Sequence, residues 1–222
     1  MILAADWTTI SSLATAGGTL VLAVATFSSV RSANRAARTA ERAFEVELRP
    51  ILFPSRLEDP PQKLRWGDDH WANVGGGRGV VEEVDGSIYM AMSLRNVGSG
   101  NAVIHGWRVE PPPEFSDGGS VMSMPSVDDF RPQLRDLFVP SGDISFWQAA
   151  IRDRSDRLHP MLHHVVEARE AIQVDVLYGD FEGGQRAISR FLLYPRGDAD
   201  DKHVDRLCTV VRHWNLDRPD PR

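Results

Sequence analysis

Hydrophobic and polar positions follow two rhythms along this chain, and the rhythm changes near Pro50. From Trp7 to Val30 no residue is charged. Ile10, Leu13, Leu20, Val24 and Phe27 recur at three- and four-residue spacing, which puts them on one face of a helix. Thr8, Ser12, Thr15, Thr19, Thr26 and Ser29 gather on the other face, with Ala14 and Gly18 at small-xxx-small spacing nearby. These 24 uncharged residues make a helix roughly 36 Å long at ~1.5 Å per residue, against ~30 Å of hydrocarbon. The pattern therefore predicts a single transmembrane anchor over residues 1–30, with Trp7 at an interfacial belt position.

Arg31, Arg35, Arg38 and Arg42 follow at spacings of four, three and four, so a continuing helix carries all four on one face. Ala33, Ala36, Ala37, Ala40 and Ala43 between them are strong helix formers. Arg49–Pro50 ends the run, because the residue before a proline is pushed out of the α region. Residues 31–49 read as a basic helical stalk. Its arginines set topology and solubilise that face, and they can also adhere to anionic headgroups.

From Pro50 the period drops towards two. Ile51–Phe53, between two prolines, reads as a short edge strand, and residues 57–86 read as mostly loop because of their Gly and Pro breakers. Ser87–Leu94 alternates clearly, with Ile88, Met90, Met92 and Leu94 on one side. Ala102–Val109 and Ile144–Ile151 follow as strands, with a turn expected at Asp117-Gly118-Gly119. Ile172–Tyr178 and Ala187–Tyr194 form the plainest hairpin, around Gly179–Gly184. Only Pro160–Ala168 looks helical within the body. Residues 50–197 are thus expected to form a two-sheet antiparallel β-sandwich with one short helix, and 198–222 a C-terminal helix or tail.

Composition and charge refine this picture. The chain has 222 residues and formal charge −6. The first 30 carry −1 and the stalk +2, leaving −7 on the body. An acidic body argues against nucleic acid as a partner. A basic flank marks the cytoplasmic side, so the N-terminus is expected outside and the body in the cytoplasm. Met1–Asp6 lacks the basic region of a cleaved signal peptide. Cys208 is the only cysteine, so neither an intrachain disulfide nor a paired-cysteine zinc site can form.

At Leu94-Arg95-Asn96-Val97-Gly98-Ser99-Gly100-Asn101-Ala102 the chain resembles immunoglobulin-like modules, in which a strand ends in an Asn-x-Gly-x-Gly-x-Ala turn. The Cys…Trp…Cys pattern of antibody domains is absent. The whole layout is similar to that of uncharacterised bacterial single-pass membrane proteins with such a β-sandwich, a resemblance that implies no activity.

Candidate chemistry is sparse. His159, His163 and Glu167 stand four apart and would share a helix face, as metal ligands can, although Pro160 puts His159 at the helix start. Asp175, Asp180 and Glu182 suggest an acidic site around the hairpin, or simply turn-favouring residues. The cluster Gly75-Gly76-Gly77-Arg78-Gly79 lacks the Lys–Ser/Thr ending of a phosphate loop and reads as a flexible tip or insertion. Cys208 lies in an apolar, helical-looking stretch and reads as a core residue.

These features point to a membrane-tethered, non-enzymatic module with no catalytic or cofactor site, whose cytoplasmic sandwich binds a protein partner. Its helix faces lipid and can self-associate or pair through Ala14 and Gly18. The alternative reading of the Ser/Thr stripe is a solitary span with hydroxyls bonded to its own carbonyls. Two other functional readings stand beside this one: a membrane-bound metal-dependent hydrolase using His159, His163 and Glu167, and a ligand sensor signalling through its span.

Overall fold

The computed structural model describes residues 7–111, 123–195 and 205–218. The expected turn at Asp117–Gly119 and the last four residues lie outside that range. The chain divides into two units at Val46–Glu47.

The first unit is one helix, α1 (Trp7–Glu47), running unbroken through both the apolar run and the arginine stalk. Within it, Ile10–Glu41 contains an 18-residue window of mean hydropathy 1.7 and is long and apolar enough to cross a membrane by length and composition. Its large apolar side chains lie open, with Trp7 80% and Leu22 71% exposed. Thr15, Thr19 and Thr26 donate to the carbonyls of Ser11, Thr15 and Leu22 at 2.7–2.9 Å, so these hydroxyls are satisfied within the helix.

The second unit is mainly β. Its strands are β1 (Leu52–Pro54), β2 (Gln62–Arg65), β3 (Trp71–Val74), β4 (Arg78–Val84), β5 (Ser87–Asn96), β6 (Ala102–Glu110), β7 (Arg131–Pro132), β8 (Phe138–Val139), β9 (Ile144–Ile151), β10 (Ile172–Asp180), β11 (Arg186–Pro195) and β12 (Asp205–Asn215). A short helix, α2 (His159–Glu167), precedes β10. Ten strands form one antiparallel sheet ordered β1-β5-β4-β12-β11-β10-β6-β7, with β9 on β5 and β8 on β6. The strands β2 and β3 make a separate hairpin. The large sheet curls until Trp107 of β6 meets Trp147 of β9, ring centroids 5.8 Å apart. Inside the curl lies the main core, including Met90, Met92, Trp147, Val174, Val176, Tyr178 and Phe191.

Three expectations are corrected here. Residues 57–86 are not mostly loop but carry β2, β3 and β4. The period was hidden because the hairpin strands are four residues long and bury only Leu64 and Val74. The glycine cluster is not a free tip. A Cβ on Gly76 would lie 2.0 Å from the Arg56 carbonyl oxygen, so only glycine fits that approach. The stretch around Cys208 is a strand, not a helix. Cys208 and Val210 pair with Leu193 and Phe191, and then a bulge inserts Val211 and turns Arg212 and Trp214 to the opposite face. That phase slip imitates helical spacing. As the strand between β11 and β4, β12 links the β1-β5-β4 and β11-β10-β6 groups within the large sheet.

Asn96 holds the junction where the chain enters the body. Fully buried, its Oδ1 accepts from the N–H groups of Ile51 (3.1 Å) and Gly98 (3.0 Å). Its Nδ2 donates to the carbonyls of Gly100 (2.6 Å) and Val139 (3.0 Å). Asn96→Ala leaves four main-chain groups without this partner. We expect a loss of roughly 3 kcal/mol in stability, measured as a shift in the denaturant midpoint.

Candidate functional site: a cleft between two sheet edges

The hairpin β2–β3 lies on the outer face of β5, where Leu64, Trp66 and Val74 cover Tyr89 and Ala91. Burial on both faces of β5 is therefore the work of this hairpin. Its turn, with Asp69 at φ +64°, carries Asp68 to the rim of a cleft. Asp68 accepts from Arg152 Nε at 2.6 Å and from the Tyr89 hydroxyl at 2.7 Å. The Arg152 hydrogen bond holds the Asp68 carboxyl well below the usual range. Burial, then the bond to Asp68, pushes Tyr89 up. His70 stacks on Tyr89 at 4.0 Å and meets Glu82 at 2.8 Å, which fixes the turn from its other side.

The cleft has a volume of about 470 Å³. Trp66 and Trp107 line it, with Gln133 and Leu134 from the segment after β7 and Gln148 and Ala149 from β9. Trp66 Nε1 donates to the Ala149 carbonyl at 3.1 Å. Gln133 Nε2 donates to the carbonyls of Arg135 (2.7 Å) and Gln148 (3.2 Å), and Gln148 Nε2 donates to the Asp136 carboxylate. Because each Nε2 faces only acceptors, both amide orientations are set. Each Oε1 is then a buried acceptor with no hydrogen-bond partner among the described residues. Such a group costs about 1–3 kcal/mol.

A second polar cluster crosses the outer face of the sheet. Register aligns Arg108 of β6, Asp175 of β10, Arg190 of β11 and Arg212 of β12 in one row. Arg190 grips Asp175 through Nε at 2.8 Å and its terminal nitrogen at 2.9 Å, and Arg108 adds a bond at 3.1 Å. Asp175 is fully buried and Arg190 is 3% exposed, with its guanidinium over Trp214. The carboxylate is fully engaged by arginine and is not an open cation site. Asp180 accepts from the Gln185 N–H at 3.0 Å and closes its own turn.

The histidines of α2 act as docking points. His159 Nε2 reaches the Gly86 carbonyl at 3.0 Å, and His163 Nδ1 meets Glu83 at 2.6 Å. Both therefore turn toward the β4–β5 hairpin. No group of three or more His, Cys, Asp or Glu side chains among the described residues could hold a metal ion, so the structure does not bring His159, His163 and Glu167 into a ligand set. Arg206, almost fully buried, reaches the Val165 and Glu170 carbonyls at the far end of α2, and burial pulls it down to about 10.

Other candidates fall into place. Burial pushes the Cys208 thiol far up, and its Sγ lies 3.8 Å from Met92 Sδ, so it behaves as core. Ser189 Oγ is 3.1 Å from His213 Nδ1, a pairing that proximity in sequence never suggested. Ser189 is fully buried and shares its hydroxyl with Tyr178, so this is a core hydrogen bond and not a nucleophile with its base. On α1, Ala14, Gly18, Arg31, Arg35 and Arg38 are exposed, and a Cβ on Gly18 would meet nothing within 4 Å. The side chain of Arg42 lies outside the described residues.

Sequence reasoning missed the cleft. Its residues come from four separate segments of ordinary composition. The one local signal was the Gly67-Asp68-Asp69 turn, visible as a breaker without its ligands.

Compared with protein-family models, curated proteins and solved structures, the chain finds no match in any of the three.

The histidines provide a pH test. The Glu83 hydrogen bond raises His163, whereas burial lowers His213. The ordinary value is about 6.5. By linkage, the His163 contribution to stability is present below that value and fades as pH rises through its folded pKa. The His213 contribution is present above it and is lost as pH falls towards its folded pKa. In an NMR titration we expect His163 above and His213 below 6.5, with Glu83→Gln returning His163 to the ordinary value.

Proposed function

We propose that this protein is a membrane-tethered, non-enzymatic interaction module whose body faces the cytoplasm and binds a protein partner. One observation carries the reading: an apolar helix, Ile10–Glu41, has none of its spanning window buried. Left in water, Leu13, Leu20, Val21, Leu22, Val24 and Phe27, each 62–71% exposed, would form an apolar surface that drives association. A bilayer covers it, and the helix satisfies its own backbone there. The arginines at its end assign sidedness by the positive-inside rule, with Trp7 at the opposite interface.

The body belongs, on this proposal, with immunoglobulin-like sandwiches. What supports that kinship is the pairing of β5 with β1 and β9, and the consecutive triplet β6-β10-β11. These match the A-B-E and C-F-G groupings of such modules, with Trp107 buried on the third strand of the scheme. Interaction is favoured over catalysis because the polar clusters described above are spent on holding the body's own elements together.

Two outcomes test the tether. After cell lysis and alkaline washing we expect the full-length protein in the membrane fraction, with its body digested by protease only after the membrane is breached. Recovery in the aqueous fraction, or digestion from outside intact cells, overturns the address or its sidedness. If Ala14 and Gly18 form a close-packed seam, Gly18→Leu removes the helix–helix crosslink seen in membranes at least several-fold; an unchanged pattern rules that pairing out.

A further inference from the structure

The arginines that close the apolar run of α1 are placed more narrowly than sidedness requires. The positive-inside rule counts basic residues near a span and is indifferent to the face they occupy. Arg31, Arg35 and Arg38 nevertheless share one face with Phe27, Val30 and Asn34, and these side chains line a shallow groove of about 420 Å³. All three arginines are exposed, as are Phe27 (69%) and Val30 (53%). No Asp or Glu lies between Asp6 and Glu41, and no ion pair joins these arginines to a carboxylate among the described residues. In the body, by contrast, Arg49, Arg108, Arg131, Arg152 and Arg190 each hold a carboxylate. Like charges three and four residues apart destabilise an isolated helix, so the stripe gains from an anion laid along it.

The two ends of the groove select that anion. A guanidinium presents a planar fork of donors that matches the oxygens of a phosphate. Arg31 to Arg38 covers roughly 10 Å of helix axis, beginning where the uncharged run ends. With that run in the hydrocarbon, the guanidinium groups fall at the level of the headgroup phosphates. Phe27 and Val30, one turn earlier on the same face, then lie beside the acyl chains. A free anion has nothing to set against those two residues, and a nucleic acid is repelled by a body of charge −7. We infer that this face binds the phosphate headgroups of anionic phospholipids in the leaflet on the body's side, with their acyl chains packed along Phe27 and Val30. Asn34, between the arginines, adds an amide donor. This names the lipid partner of the proposed tether and rests on α1 being a span.

The test uses the purified full-length protein in micelles holding equal amounts of phosphatidylglycerol and phosphatidylcholine, with retained lipid counted by native mass spectrometry. We expect phosphatidylglycerol to be retained in roughly tenfold excess. A charge-conserving rearrangement, Arg35→Ala with Ala36→Arg and Arg38→Ala with Ala40→Arg, moves two guanidinium groups off the groove face and should bring the two lipids near parity. In bicelles, the Nε–H resonances of Arg31, Arg35 and Arg38 in the unaltered protein should shift as phosphatidylglycerol replaces phosphatidylcholine, and stay in place when inorganic phosphate is added instead. Equal retention of the two lipids, an undiminished preference in the rearranged protein, or the same resonance shifts with inorganic phosphate overturns the proposal. Equal retention leaves the membrane fractionation result standing, whereas recovery in the aqueous fraction removes the tether whatever the lipid.

Discussion

Among the described residues the apolar window of α1 has nothing buried, and an apolar face of that length is costly to leave in water. From Trp7 to Val30 the backbone is continuous helix, and several hydroxyls fold back onto carbonyls one turn earlier. Such a segment is cheap to place in lipid and costly to leave outside it. The arginines follow at once on the same uninterrupted helix, so the apolar run and the stalk are one continuous element with no break at residue 30. Where the helix stops, Arg49 bonds Asn215 and Asp217, so the first residues of the body are fastened to its last strand.

Within the body, burial on both faces of the curled sheet follows from two covers. The hairpin β2–β3 shields one patch of the outer face, and the Arg108–Asp175–Arg190–Arg212 row fills another with paired charge. A carboxylate buried without those guanidinium groups would be strongly destabilising, so the row is held as a unit. Buried polar atoms without a partner among the described residues are scattered, on Gln62, Trp147 and Arg206 as well as Gln133 and Gln148. Gln133 and Gln148, in the gap between β7 and β9, keep acceptors that the fold itself does not use.

Much of the architecture was legible from hydrophobic period. Strands β5, β6, β9, β10 and β11 were read within a few residues of their observed ends, as was α2. The failures have physical causes. The four-residue strands β2 and β3 bury one side chain each, Leu64 and Val74, too few to show a period. In β12 the bulge at Val211 moves the apolar residues from one face to the other midway, and the resulting spacing of Leu207, Cys208, Val210, Val211 and Trp214 is that of a helix. His159 and His163 share a face as expected, but Gly86 and Glu83 claim them. A helix-face pattern states which residues are neighbours along the chain, not what lies opposite.

The sequence by itself determined the apolar span, its basic flank and most of the strand period, because these depend on residues near one another along the chain. Only the tertiary structure decided that β12 joins β11 to β4 in one sheet, that Asp175 is locked by arginines from two other strands, and that Asp68, Arg152, Gln133 and Gln148 gather around one cleft. Those outcomes depend on contacts across tens of residues, where register and curl set the distance and no local pattern records it.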